Sequence, residues 1–200
     1  MELEKYKKDL KKYGTILIPK TQSFIAEDDF KKIEKNLKKI PTEFVKIGDA
    51  GEKNYVHVSR LMTDVKKPKV VNQKYSKKVL KILNDNYLSD FKKIVHKNKL
   101  FIRRAQVNNM KKNAFVGYHL DIDSNPDYLY AVVIQLGSKF TGGKYVVYKN
   151  KTKKSFSPKY MSIIISDCKI PHEVTKVRSG ERVSFVFFLS ENFAKNRRTK

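Results

Sequence analysis

Two hydrophobic periods divide the chain. From Glu27 to Ile40 the apolar residues Phe30, Ile33, Leu37 and Ile40 recur at helical spacing behind an acidic first turn of Glu27, Asp28 and Asp29, and Pro41 stops the pattern. Lys31, Lys32, Lys35, Lys38 and Lys39 take the opposite face, as on a solvated helix. A second stripe of Tyr75, Val79, Ile82, Leu83, Tyr87, Phe91, Ile94 and Val95 predicts a long helix from Gln73 to about Lys97, lying on a sheet, with a break near Ser89 and Asp90. The short run "GTILIPK" at 14–20 reads as a strand closed by Pro19. Residues 42–72 hold no sustained period and read as a long loop with strand fragments.

After residue 100 the period shortens. "LFIRRAQVNN", "FVGYHLDID", "LYAVVIQLG", "GKYVVYKN", "KYMSIIISD", "HEVTKV" and "RVSFVFFLS" are β-rich runs divided by Gly, Asn, Pro, Ser and Lys clusters. Closely spaced strands with no helices between them predict a sandwich or jelly roll. The expected organisation is one α+β, mainly β domain: a mostly helical N-terminal support over 1–99, a β core over 100–192, and a frayed basic tail over 193–200.

Composition changes this picture little. Cys168 is the only cysteine, so an internal disulfide is excluded and a reducing compartment fits. The start "MELEKYKKDLKKYG" lacks the apolar stretch of a signal peptide, and no run has the length of a membrane span, so a cytoplasmic protein is expected. A formal charge of +24 attracts polyanions, which keeps a nucleic-acid partner open. Only 7 of the 44 basic residues are arginine, however, and the lysine excess is what A- and T-rich codons also produce, so the charge alone assigns no partner. Oligomeric state is not legible.

The chemistry concentrates in "GYHLDIDS" at 117–124. Side chains two apart on a strand share a face, so His119 and Asp121 can address one ion. His172, in "CKIPHEV", supplies a third ligand, and two imidazoles with one carboxylate form the facial triad that holds ferrous iron with positions left open. Taken alone, an H-x-D triplet is a common accident; the spacing to Arg182 adds weight. Arg182 lies ten residues beyond His172, at the start of the strongly apolar "RVSFVFFLS". A guanidinium buried there needs an anion, and Ser184 on the same face can add a hydroxyl. Asp123 shares the strand face of Asp121 and reads either as a supporting residue or as a turn cap before "SNPD". Arg103 and Arg104 flank a strand facing the same region, where one of them can meet an acidic substrate. Tyr118, Tyr128, Tyr130 and Tyr148 are either cleft or core residues. Cys168 reads as a small core residue, and His57 and His96 as lone surface histidines.

H-x-D, a distal histidine, and an arginine ten residues further on consecutive β-runs resemble the iron(II)- and 2-oxoglutarate-dependent dioxygenases, over roughly residues 100–190. "TGGKYVVY" is similar to the Gly-Gly turn and strand of their prolyl-hydroxylase branch, and "PHEV" with "RVSFVFFLS" to its distal segment. The resemblance implies a double-stranded β-helix, the cupin-like jelly roll, buttressed by N-terminal helices. It implies iron at His119, Asp121 and His172, and the far carboxylate of 2-oxoglutarate on Arg182 and Ser184. Dioxygen is the second cosubstrate and ascorbate a possible reductant. Gln135 stands where that branch often has a cosubstrate-contacting tyrosine, and Lys144 where an acidic residue commonly follows the Gly-Gly pair, with Tyr145 next. The carboxylate of Asp121, which halogenating relatives lack, implies hydroxylation, and no second arginine follows Arg182, unlike the base-repair branch. The expected enzyme hydroxylates a peptide or protein side chain such as proline, ahead of a free amino acid or sugar. The alternatives are a nucleic-acid-modifying oxygenase and a non-catalytic β-barrel binding module.

Overall fold

The structure is a computed structural model that describes residues 3–197. The N-terminal segment holds α1 (Leu3–Tyr13), β1 (Thr15–Ile18), α2 (Glu27–Leu37), β2 (Glu43–Ile47), β3 (Lys53–Thr63), β4 (Lys69–Val70), α3 (Gln73–Ile82) and α4 (Leu88–Val95). The remainder holds β5 (Phe101–Met110), β6 (Val116–His119), α5 (Asp121–Ser124), β7 (Tyr130–Gln135), β8 (Phe140–Gly142) and β9 (Tyr145–Lys149). It ends with β10 (Thr152–Phe156), β11 (Ile163–Asp167), β12 (His172–Val174), β13 (Val177–Gly180) and β14 (Arg182–Ser190).

Strands β1-β11-β7-β14-β5-β3 form a larger antiparallel sheet, and β6-β12-β9-β10 a smaller one. A bridge from Asn54 on β3 to Val116 on β6 joins them. The smaller sheet faces the larger, as Val133, Ile164 and Val186 from one pack with Val116, Val147 and Val174 from the other. This is the expected double-stranded β-helix. Helices α1 to α4 cover the outer face of the larger sheet, so its central strands are buried on both sides. On β14, Phe185, Phe187 and Leu189 face the helices while Val186 and Phe188 face the barrel. That double burial explains why "SFVFFL" reads as an unbroken apolar run rather than an alternating one.

Several elements depart from the sequence reading. Residues 42–72 are not a loop: β2 and β3 make a hairpin, and β3 is an eleven-residue strand paired with β5. Exposed Tyr55 and half-buried His57 do alternate with buried Val56 and Val58, but a register shift between Arg60 and Met62 breaks the period beyond them. The 1–99 segment is therefore not helical support alone, since it lends β1 and β3 to the larger sheet. The lysine-rich start folds as α1, which needs only Tyr6 and Leu10, four residues apart, to dock. The second helix breaks at a π-helical turn over Leu83–Tyr87, slightly before the expected position. The tail is ordered as far as Arg197: buried Asn196 donates to the backbone oxygens of Asp64 and Ser124, and Arg197 pairs with Asp127 at 2.8 Å. Residues 198–200 of the expected frayed tail lie outside the described residues. Among the described residues no helix is long and apolar enough to cross a membrane.

Candidate active site

The register between β6 and β12 sets His119 directly opposite His172. Residues so paired project from the same face of a sheet, and the two imidazoles stand 4.3 Å apart, centre to centre, inside the barrel. Asp121 arrives differently from the expected strand. The strand ends at His119, and Asp121 opens the helical turn α5, whose Asp, Ser and Asn residues favour local turn hydrogen bonds over ladder pairing. The backbone N–H of Ile122 donates to Cys168 O at 3.4 Å, holding this turn against the end of β11. Asp123 consequently points to solvent, away from Asp121.

Each imidazole is oriented by its own backbone. Nδ1 of His119 lies 2.7 Å from Gly117 O and Nδ1 of His172 lies 3.0 Å from Ile170 O, which turns both Nε2 atoms toward the buried carboxylate. His119 Nε2 is 3.4 Å from Asp121 Oδ1 and His172 Nε2 is 3.6 Å from Oδ2, with one donor atom from each residue inside a 4.8 Å cluster. The donor set suits a divalent transition metal, with nitrogen and oxygen ligands on one side and the cleft on the other. Burial opposes charge on His119, yet the Asp121 carboxylate carries its pKa up to about 9. Burial alone would raise Asp121, but His172 and His119, with help from Arg104, hold it below the usual carboxylate range. His172 is pushed down by its burial.

Arg182, at the start of β14, is buried and lines the same cleft. Its Nη1 reaches Met110 Sδ at 3.4 Å and Ser184 Oγ at 3.3 Å, while Nε and Nη2 have no hydrogen-bond partner among the described residues. Burial lowers its pKa to about 10. A guanidinium held this way is complementary to a carboxylate, whose two oxygens accept two parallel N–H bonds. The Gly142-Gly143 pair makes the room: both residues have positive φ, and a Cβ on Gly143 would lie 2.7 Å from Arg182 Cδ. Tyr145, the second residue after that pair, stacks its ring on His172 at 5.1 Å and lines the cleft between the histidine and Arg182.

The cleft has a cavity volume of about 100 Å³ and opens to solvent. Val56, Val58, Val133, Val186 and Phe188 form its apolar wall. Of the residues singled out in the sequence, His119, Asp121, His172, Arg182, Ser184 and Tyr145 meet there. Gln135 does not line it, because its amide nitrogen donates to Val183 O at 2.8 Å and Gly137 O at 3.0 Å. None of the four candidate tyrosines does either. Tyr128 stacks on Phe188 behind the wall, while Tyr118 and Tyr148 pair with each other outside the barrel. His57 and His96 do not line it either.

Arg103 and Arg104 part company at a bulge, where the β5–β14 register slips between Arg104 and Ile102. Arg103 turns outward to Asp64 and to the tail carbonyls of Asn192 and Ala194, whereas Arg104 enters the cleft. The sequence reading missed Asp49 and Glu52, which reach the cleft from the β2–β3 turn, and Asn54 at the start of β3. "IGDAGE" between two short valine-containing runs was the available signal.

Residues 105–190 match the family model described as the 2OG-Fe(II) oxygenase superfamily. Among solved structures, an oxidoreductase of the 2OG-Fe(II) oxygenase family from Burkholderia pseudomallei is 35% identical with a TM-score of 0.90, over 100% of this chain and 95% of that one. A prolyl-4-hydroxylase from Pseudomonas putida is 13% identical with a TM-score of 0.63, over 95% of this chain and 99% of that one. A Trichoplax adhaerens prolyl hydroxylase, solved with a hypoxia inducible factor peptide fragment, is 12% identical with a TM-score of 0.65, over 95% and 93%. At these identities the two prolyl hydroxylases share the fold. No curated protein matches.

Proposed function

Because the chain belongs to the 2OG-Fe(II) oxygenase superfamily and is an iron(II)- and 2-oxoglutarate-dependent dioxygenase, we propose that it hydroxylates a C–H bond of an amino-acyl substrate in the cleft beside His119, Asp121 and His172. In this reading those three residues hold the iron, and Arg182 with Ser184 takes the distal carboxylate of 2-oxoglutarate. The observation that carries it is the pairing, in one cleft, of a converged two-histidine, one-carboxylate set with a buried arginine whose Nε and Nη2 lack protein partners among the described residues.

Bound iron(II), with 2-oxoglutarate and dioxygen, supplies oxidation of an unactivated C–H bond, the cosubstrate leaving as succinate and carbon dioxide. The protein supplies position and exclusion of water. Gly117 O and Ile170 O fix the two imidazole orientations, and the ring of Tyr145 backs His172. Gly143 leaves the stem of Arg182 its path into the cleft. Valine and Phe188 side chains keep the reacting end apolar. A carboxylate at Asp121 supports hydroxylation over halogenation. The prolyl-hydroxylase fold supports an amino-acyl substrate, proline included, whether peptide-bound or free.

The test is succinate formation from 2-oxoglutarate with iron(II) and ascorbate, in wild type and His172→Ala. Proline-rich peptides, free amino acids and oligonucleotides are added in turn. His172-dependent turnover that rises with an amino-acyl additive supports the reading. Stimulation by oligonucleotides alone would replace it with a base-modifying oxygenase drawn by the +24 charge.

A further inference from the structure

Strand pairing fixes two of the three candidate metal ligands and leaves the third to other means. His119 and His172 sit opposite each other in a ladder, whereas Asp121 rides on α5, a four-residue turn outside any ladder. Near its start the turn is tied to the barrel by the Ile122 N–H, which reaches Cys168 O at 3.4 Å, longer than the usual range. Its far end is held by side chains. Asn125, just after the turn, donates from Nδ2 to Asp64 Oδ2 at 2.6 Å, and Asn196 donates from Nδ2 to Ser124 O at 3.2 Å. The same Nδ2 donates to the backbone oxygen of Asp64, also at 3.2 Å. One buried amide, with its two N–H donors on two carbonyls, thus joins the end of α5 to the residue that follows β3.

Both sides of that clamp are anchored. Asp64 is 1% exposed, pairs with buried Arg103 at 3.4 Å and accepts from Tyr128 Oη at 2.8 Å. Residues 192–197 form no helix or strand, yet Arg103 donates to the carbonyls of Asn192 and Ala194 at 3.0 and 2.7 Å, and Phe193 meets Phe101 edge-on at 4.9 Å. The Asn196 N–H donates to Lys66 O at 2.7 Å, and Arg197 pairs with Asp127. A metal site needs its donors held to roughly 0.5 Å, and the remaining backbone bonds of α5, from Asp123 to Leu120 and from Asn125 to Asp121, are local and tie it to nothing else. We propose that residues 192–197 complete the metal site, with Asn196 as a positioning residue that keeps α5, and through it the Asp121 carboxylate, in place against the two imidazoles. The inference rests on the iron-site reading and adds to it a residue that does not line the cleft.

The experiment measures binding of zinc(II), a redox-silent probe that nitrogen ligands hold more tightly than iron(II), by equilibrium dialysis on wild type, Asn196→Leu, Asp121→Ala and the double variant. Leucine fills the space of asparagine without its N–H groups. Asn196→Leu is expected to weaken binding about tenfold, the scale for losing a group that orients a metal ligand. In the Asp121→Ala background the same change is expected to cost nothing further, because Asn196 acts through that carboxylate. Val79→Ala, which removes buried methyl groups among the helices and lowers Tm, is expected to keep wild-type affinity, so general loss of stability does not imitate the effect. Should Asn196→Leu not fold, Asn196→Ala takes its place in the cycle. Unchanged zinc binding in the Asn196 variant overturns the proposal and leaves the segment a stability element. A tenfold loss that persists in Asp121→Ala overturns it too, since the effect then bypasses the carboxylate. Zinc binding unaffected by His172→Ala is a separate result that strikes the iron-site reading instead.

Discussion

Replacing Arg182 with methionine should make the cosubstrate-free protein no less stable while removing its response to 2-oxoglutarate. The native pKa of Arg182, about 10, lies below its ordinary 12.5, so between those values the folded chain binds fewer protons than the unfolded one. The charged form therefore costs the native state at neutral pH, by about 3 kcal/mol at 1.36 kcal/mol per pH unit. That agrees with the 1–4 kcal/mol by which apolar replacement of buried charges is typically neutral to stabilising, roughly. A bound carboxylate offsets the cost through Nε and Nη2. Two charge-assisted hydrogen bonds at roughly 1.5–3 kcal/mol each give about 3–6 kcal/mol, or a hundredfold to ten-thousandfold in affinity. The assay is thermal unfolding with iron(II) under anaerobic conditions, with and without 2-oxoglutarate. At 100 times Kd a ligand adds about 2.7 kcal/mol, which for a chain of this size raises Tm by roughly 5–10 °C. Wild type should show that rise and Arg182→Met should not, with a starting Tm equal to wild type or higher. A rise retained in Arg182→Met, or a starting Tm more than about 5 °C lower, would refute the reasoning.

Other perturbations test the supporting geometry. Gly143→Ala forces a positive φ on alanine and a Cβ against Arg182 Cδ, so calorimetry should find 2-oxoglutarate affinity reduced about tenfold, for a strain near 1–2 kcal/mol, with iron binding kept. Because the Asp121 carboxylate holds metal-free His119 protonated up to about pH 9, iron(II) binding at pH 7 should release about one proton; its affinity should climb with pH and level off above 9. Titrations in buffers of different ionisation enthalpy measure that release. Truncation after Ser190 removes the Asn192 and Ala194 carbonyls from buried Arg103 and leaves it Asp64 at 3.4 Å and Asp127 at 3.8 Å. Each lost hydrogen bond to a charged group costs about 1.5–3 kcal/mol, so Tm should fall by roughly 10 °C.

The candidate site was legible where chemistry and register coincide. His119, Asp121, His172 and Arg182 are costly to bury without a purpose, so their spacing carried information that survived the error about the strand under Asp121. A local turn, rather than strand alternation, brings that carboxylate to the histidines. Gln135 shows the opposite case. It sits on a barrel strand at a plausible position, but its amide N–H groups are spent on backbone oxygens, which no residue pattern reveals. The β2–β3 hairpin escaped because a register shift between Arg60 and Met62 breaks the period of β3 and polar Asn54 and Ser59 take buried positions in it. With it went Asp49, which pairs with Arg104, and Glu52 from the same turn. Arg104 rather than Arg103 faces the cleft because it continues the alternation of Gln106 and Asn108 along β5, and the bulge beyond it re-aims Ile102 toward the helices.

In the proposed reading His119, Asp121 and His172 form one iron site to which Arg182 delivers 2-oxoglutarate. This reading is tested most directly by anaerobic equilibrium dialysis of iron(II), with and without 2-oxoglutarate, on wild type, His172→Ala and Arg182→Met. The account predicts one iron per chain in wild type, held more tightly with 2-oxoglutarate. It predicts binding weakened at least about a hundredfold in His172→Ala, beyond what loss of a supporting residue causes. In Arg182→Met iron should bind as in wild type but gain nothing from 2-oxoglutarate. Iron held equally well by His172→Ala, or tightened by 2-oxoglutarate without Arg182, would contradict it.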